Sequence, residues 1–132
     1  MSKHRLGDLQ LAIMRVLWAR SEATAGEVHQ ELLETRGLAL TTIATMLRKM
    51  EDKGVVAHRK DSRHFVYRAC VLEDEVHRTM VGELVDRLFD GDPAALVSHL
   101  VEEGEIDVRE LESLRARLRR RPRRRRKGGR NA

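Results

Sequence analysis

Between residues 41 and 53 the side chains fall into two chemically distinct sets. Ile43, Met46, Leu47 and Met50 recur at helical spacing and share one narrow arc of a helical wheel. Thr41, Thr45 and Arg48 lie nearly opposite, with Thr42 and Lys49 on one flank. The outer face therefore carries hydroxyls first and cations later. A threonine hydroxyl can hydrogen-bond to several base edges, and its methyl packs on a thymine methyl. The N–H groups of a helix N-terminus favour a phosphate. Arg48 and Lys49 reach further along, toward the flanking phosphates that supply most of the affinity for DNA. In isolation the same residues also describe an ordinary solvated helix face.

No set of residues points to catalysis. The six histidines, His4, His29, His58, His64, His77 and His99, form no metal-ligand pair of the HExxH kind. Cys70 is the one cysteine and has no base beside it in sequence; a small buried thiol is expected there. A single cysteine excludes an internal disulfide framework and a cysteine-based metal cluster. It fits a reducing, cytoplasmic compartment. The first ten residues, MSKHRLGDLQ, lack the apolar run of a secretory signal, and no stretch reaches the length of a membrane span. Neither catalytic residues, nor cofactors, nor metals are expected.

The elements that must hold residues 41–53 are legible on either side. A first helix is expected from about Asp8 to Ala19, with Leu6 and Leu11 as a hydrophobic staple around Gly7 and with Leu9, Ile13, Val16 and Leu17 inward. TAGE, residues 24–27, is a capping box that opens a second helix to about Thr35, with Val28, Leu32 and Leu33 inward. Gly54 stops the third helix. Two β-rich runs, 55–59 and 65–69, flank the polar turn KDSRH and read as a two-stranded hairpin. Helix, helix, amphipathic helix and hairpin is the order of a winged helix-turn-helix, occupying residues 1–71. The wing would carry Arg59, Lys60, Arg63 and His64 to the DNA backbone or minor groove, with Asp61 opposing them locally.

Charge divides the rest of the chain. Residues 1–71 hold 12 Lys/Arg against 8 Asp/Glu, a net +4. Residues 72–118 hold 5 against 13, a net −8, and residues 119–132 hold 9 against none. The acidic segment is expected to form three helices with wide apolar faces, at 73–90, after Asp92-Pro93, and after the capping box Asp107/Glu110. So short a unit rarely buries its own core. Met80, Leu84, Leu88, Leu96, Leu100, Leu111, Leu114 and Leu118 are therefore expected to face a second copy, making 72–118 a dimerisation region. The tail 119–132, RRRPRRRRKGGRNA, has no apolar content to pack and is expected to be disordered. The fold class is mostly α with a small hairpin wing.

The motifs LGDLQLAIMRVLW, ATAGEVHQEL, TTIATMLRKMEDKGVV, HFVYRA and LFDGDPAALVSHLVEE, in this order and spacing, resemble the penicillinase-repressor family of winged-helix regulators, from about Leu6 to Leu118. The resemblance implies a homodimeric repressor that binds palindromic double-stranded DNA through the third helix and the wing. It places Thr41, Thr42, Thr45 and Lys49 among the helix contacts and Arg63 and His64 at the wing tip. In antibiotic-resistance members a membrane sensor protease triggers cleavage at an Asn-Phe bond; the matching pair here is His99-Leu100. Copper-responsive relatives carry a C-terminal cysteine cluster that this chain lacks, and the arginine-rich tail lies outside the family pattern. A competing reading is a winged-helix module for protein partners, with no base contacts; salt-dependent duplex binding separates the two.

Overall fold

A computed structural model describes residues 3–120 of the chain. The elements in order are α1 (Asp8–Arg20), β1 (Glu22–Thr24), α2 (Ala25–Arg36), α3 (Leu40–Lys53), β2 (Val56–Asp61), β3 (His64–Ala69), α4 (Glu73–Leu88), α5 (Pro93–Glu102) and α6 (Val108–Arg120). Local chemistry sets most of the boundaries. The Leu11 N–H donates to Gly7 O at 2.8 Å where α1 begins, and Leu6 is buried beside it. At α2 the Glu27 N–H donates to Thr24 Oγ1 (3.1 Å) and the Thr24 N–H to Glu27 Oε1 (2.9 Å), a complete capping box. Gly54 ends α3 at φ 87°, a left-handed conformation that costs glycine little.

One compact unit runs to Leu84 and a second begins at Val85. The first is built on Ile13, Met14, Leu17, Val28, Ile43, Leu47, Met50, Val55 and Val76, all essentially inaccessible to solvent. Burial of this kind stabilises by roughly 1.5–3 kcal/mol per side chain. Trp18 packs on the same cluster and donates its Nε1–H to Val71 O at 3.0 Å.

Several expectations need correcting. The sheet has three strands, in the order β1-β3-β2, not two. β1 is only three residues long and runs straight into the cap of α2, so it carries no alternation to read. The hairpin turn is tighter than KDSRH: Lys60 pairs with Phe65 and Asp61 with His64, leaving Ser62 and Arg63 as the loop. Ser62 takes φ 58°, as the first central residue of a two-residue hairpin requires. Leu33 faces solvent, one position off the buried stripe of α2, and Cys70 is exposed rather than buried. Arg68 lies over that thiol, Nη1 to Sγ 3.7 Å.

In the second half, α4 stops at Leu88, two residues early, because Asp90 and Gly91 turn left-handed at φ 53° and 80°. Its opening turns belong to the first unit and pack into its core through Val76 and Met80, so Met80, expected at the dimer face, lies half-buried there. α6 continues through Arg120, so Arg119 and Arg120 are helical and not part of an unstructured tail. The remainder of that tail, 121–132, lies outside the described residues. No helix among the described residues is long and apolar enough to cross a membrane.

Candidate nucleic-acid interface

α3 buries Ile43, Leu47 and Met50, and Met46 is half-buried, where its Sδ accepts from Gln10 Nε2 at 3.7 Å. That anchoring turns Thr41, Thr42, Thr45, Arg48 and Lys49 outward together. The N-terminus of α3 differs from every other helix start described. α1 has the Gln10 side chain on the Gly7 N–H, α4 has Glu75 on the Leu72 N–H, and α5 has Asp92 on the Ala94 N–H. α2 and α6 carry full capping boxes. α3 has Ala39 at its N-cap, with no side-chain cap and no acid in its first turn. Its partial positive end is left for an external acceptor, beside the three threonines.

The expected wing residues separate into two groups. Lys60, Arg63 and His64 are exposed at the hairpin tip, and neither Lys60 nor Arg63 has a carboxylate within ion-pair distance among the described residues. Arg48 and Lys49 of α3 are likewise without an ion-pair partner there. Arg59 is engaged. Its Nη2 donates to Glu22 Oε1 at 2.6 Å, and Asp61 stands 3.8 Å from Nη1. Hydrogen bonding to Glu22 raises the Arg59 guanidinium above its ordinary value and holds the Glu22 carboxyl below its own. Glu22 sits on β1 and Arg59 on β2, so the pair spans the central strand on the side of Val66, which explains why Val66 is buried along with Tyr67. Arg59 therefore braces the sheet, with its side chain still 55% exposed.

Sequence reading missed the groups that hold this surface in place. Lys53, at the end of α3, donates to the Arg5 carbonyl at 2.9 Å. Arg5 in turn meets Glu83 of α4 at 3.0 Å, and His4 meets Glu75 at 3.2 Å. Glu51 of α3 meets His58 of β2 at 2.7 Å. Burial, reinforced by Glu51 and opposed by Arg48, raises the Tyr67 phenol above its usual range. These contacts join residues 7 to 78 positions apart, and no periodicity announces them.

In the second unit, α5 and α6 contain no buried residue. Leu88 is 68% exposed, Val108 63% and Leu118 58%, with Val97 and Leu114 also exposed. Leu96, Leu100 and Leu111 are half-covered, and Leu84, the last residue of the first unit, is exposed. His99 is exposed within α5, its ring 5.7 Å from that of Phe89, and the His99–Leu100 bond lies inside the helix. Among the described residues no group of three His, Cys, Asp or Glu side chains is arranged to hold a metal ion.

This architecture has known counterparts. The family model described as penicillinase repressor matches residues 6–120. The chain is 37% identical to the transcriptional regulator BlaI of Mycobacterium tuberculosis over 116 residues, 86% of this chain and 83% of that protein. It is 28% identical to the penicillinase repressor of Bacillus licheniformis over 83% of this chain and 86% of that one. It is 22% identical to the methicillin resistance regulatory protein MecI of Staphylococcus aureus, over 85% and 91% of the two chains. The solution structure of the DNA-binding domain of the repressor BlaI superposes with a TM-score of 0.51 at 34% identity, covering 56% of this chain and 90% of that one. The fold is a winged helix followed by further helices, and the chain belongs to the penicillinase repressor family, whose members are DNA-binding transcriptional repressors and not enzymes.

Proposed function

We propose that the chain is a sequence-specific repressor that binds a palindromic operator as a homodimer, in the cytoplasm, in a β-lactam or cell-envelope response. The observation that carries the reading is the outer face of α3. Thr41, Thr42 and Thr45 follow an uncapped helix start, with Arg48 and Lys49 beyond them. The threonines face the base edges; Arg48, Lys49, Lys60, Arg63 and His64 face phosphates. Arg59 holds the wing. The exposed apolar stripes of α4 to α6 support pairing with a second copy, through Leu84, Leu88, Leu96, Leu100, Leu111, Leu114 and Leu118. Two copies related by a two-fold axis read a two-fold sequence.

The β-lactam assignment rests on the names of the relatives, penicillinase repressor and methicillin resistance regulatory protein. A membrane sensor protease enters as a partner on the family pattern alone, with His99-Leu100 at the matching bond. Mass spectrometry of the chain after incubation with such a protease decides this point: a cut at that bond keeps the protease as a partner, and an intact chain removes it.

The experiment for the main reading is selection of duplexes from a random pool, followed by sedimentation of the complex. One enriched palindrome bound by two chains is expected. Enrichment of no sequence would favour a winged-helix module for protein partners.

A further inference from the structure

We propose that Glu51 and His58 are a positioning pair that locks the wing to α3, so that Lys60 and Arg63 meet phosphates only in the register set by the threonine face. The inference rests on the DNA-binding reading above. Glu51 lies on the flank of α3 opposite Thr42 and Lys49, and His58 is the third residue of β2. Both are about one-third exposed, at the edge of the core. His58 Nδ1 stands 2.7 Å from Glu51 Oε1 and 2.9 Å from Oε2. An ionised carboxylate only accepts, so Nδ1 carries the hydrogen and donates to both oxygens. The other side of the contact is aromatic. The His58 ring stacks on Phe65 with centroids 4.0 Å apart and planes 12° apart, and it meets Tyr67 at 5.6 Å. Phe65 pairs in turn with Lys60 across the ladder.

A continuous path therefore runs from an α3 carboxylate through an imidazole to the strand that carries the wing cations. The path matters because β2 leaves the core early. Val56 is 2% exposed, but the strand is exposed from His58 onward. An isolated two-stranded hairpin is marginal in water. The root of this one is held by the β1–β3 ladder and by Val56 and Tyr67 in the core. Two side-chain ties add to that, Arg59 to Glu22 of β1 on one face and His58 to Glu51 on the other. The second of these joins the wing to the groove-reading helix.

The test exploits a difference in sign. Removing a carboxylate near a polyanion should strengthen binding if Glu51 is only a surface charge. The positioning role demands the opposite. In the full-length protein, Glu51→Ala is expected to weaken operator binding by about tenfold. Glu51→Gln, which keeps an acceptor oxygen, is expected to recover most of the loss. Arg63→Ala is expected to weaken binding severalfold in the unsubstituted protein and to cost little more in the Glu51→Ala background, a non-additivity that reports shared positioning. Thermal unfolding of each variant accompanies the binding curves. Tighter binding by Glu51→Ala, or an equal cost of Arg63→Ala in both backgrounds, overturns the pair while leaving the DNA reading intact. Failure of the unsubstituted protein to bind any duplex overturns both.

Discussion

α3 and α6 are both amphipathic, and they dispose of their apolar faces in opposite ways. In α3, Ile43, Leu47 and Met50 are at most 1% exposed, closed over by α2 and β2 in a core cluster shared with α1. In α6 nothing is buried, and Leu114 and Leu118 remain 36% and 58% exposed. The first unit thus completes its own core, and the outer face of α3 is not needed to hold the fold together. The second unit has apolar surface left over. A face that stability does not require is available for a ligand, whereas an uncovered apolar stripe asks for a partner.

Substitution on the two apolar faces tests this contrast most strongly. Leu47→Ala should cost roughly 2–5 kcal/mol of stability by opening a cavity, read as a lower midpoint in urea at any protein concentration. Leu118→Glu should leave the N-terminal unit folded but shift the sedimentation profile toward the monomer, and should lower palindrome affinity by on the order of 100-fold through loss of two-site engagement. Equal effects of the two substitutions on stability and assembly would erase the distinction drawn between the units.

A second pair divides the outer face of α3 itself. Thr45→Ala should relax sequence preference at one base pair by about 1–3 kcal/mol. Lys49→Ala should weaken all duplexes alike and flatten the salt dependence by about one unit of slope. The reverse pattern would mean that the reading and the anchoring positions have been exchanged.

The smallest effect belongs to Glu22. Its carboxyl titrates below its ordinary value because Arg59 donates to it. A depressed carboxyl stabilises the fold above its ordinary pKa, and that contribution is lost as pH falls through the lowered value. The melting-temperature advantage of the protein over Glu22→Gln, small for so exposed a pair, should therefore shrink on acidification. An advantage that grows toward acid would contradict the pairing.

The helices and their caps were legible because their signals are local. The Thr24/Glu27 and Asp107/Glu110 boxes, the Asp92-Pro93 start and the stop at Gly54 each lie within four residues. The threonine-and-cation face was legible for the same reason. Other features depend on contacts distant in sequence. β1 exists only because β3 is there to pair with it, and the capture of Arg59 by Glu22 depends on that same strand order. Met80 gave the signal of an exposed stripe, yet α4 lays that turn on the N-terminal core. Cys70 was misread because burial was inferred from residue type. The wing tie, His58 to Glu51, joins a strand to a helix across the Gly54 turn, and His58 lies outside every motif, so nothing local pairs it with Glu51.

The central claim is that the α3 face and the wing cations grip duplex DNA. Its most direct measurement is the affinity of the full-length protein for the selected palindrome and for a scrambled duplex, across a range of salt concentrations. A steep linear fall of log affinity with log salt for both duplexes is expected, with the palindrome held more tightly throughout. A flat salt dependence, or equal affinity for the two duplexes at every salt concentration, would contradict it.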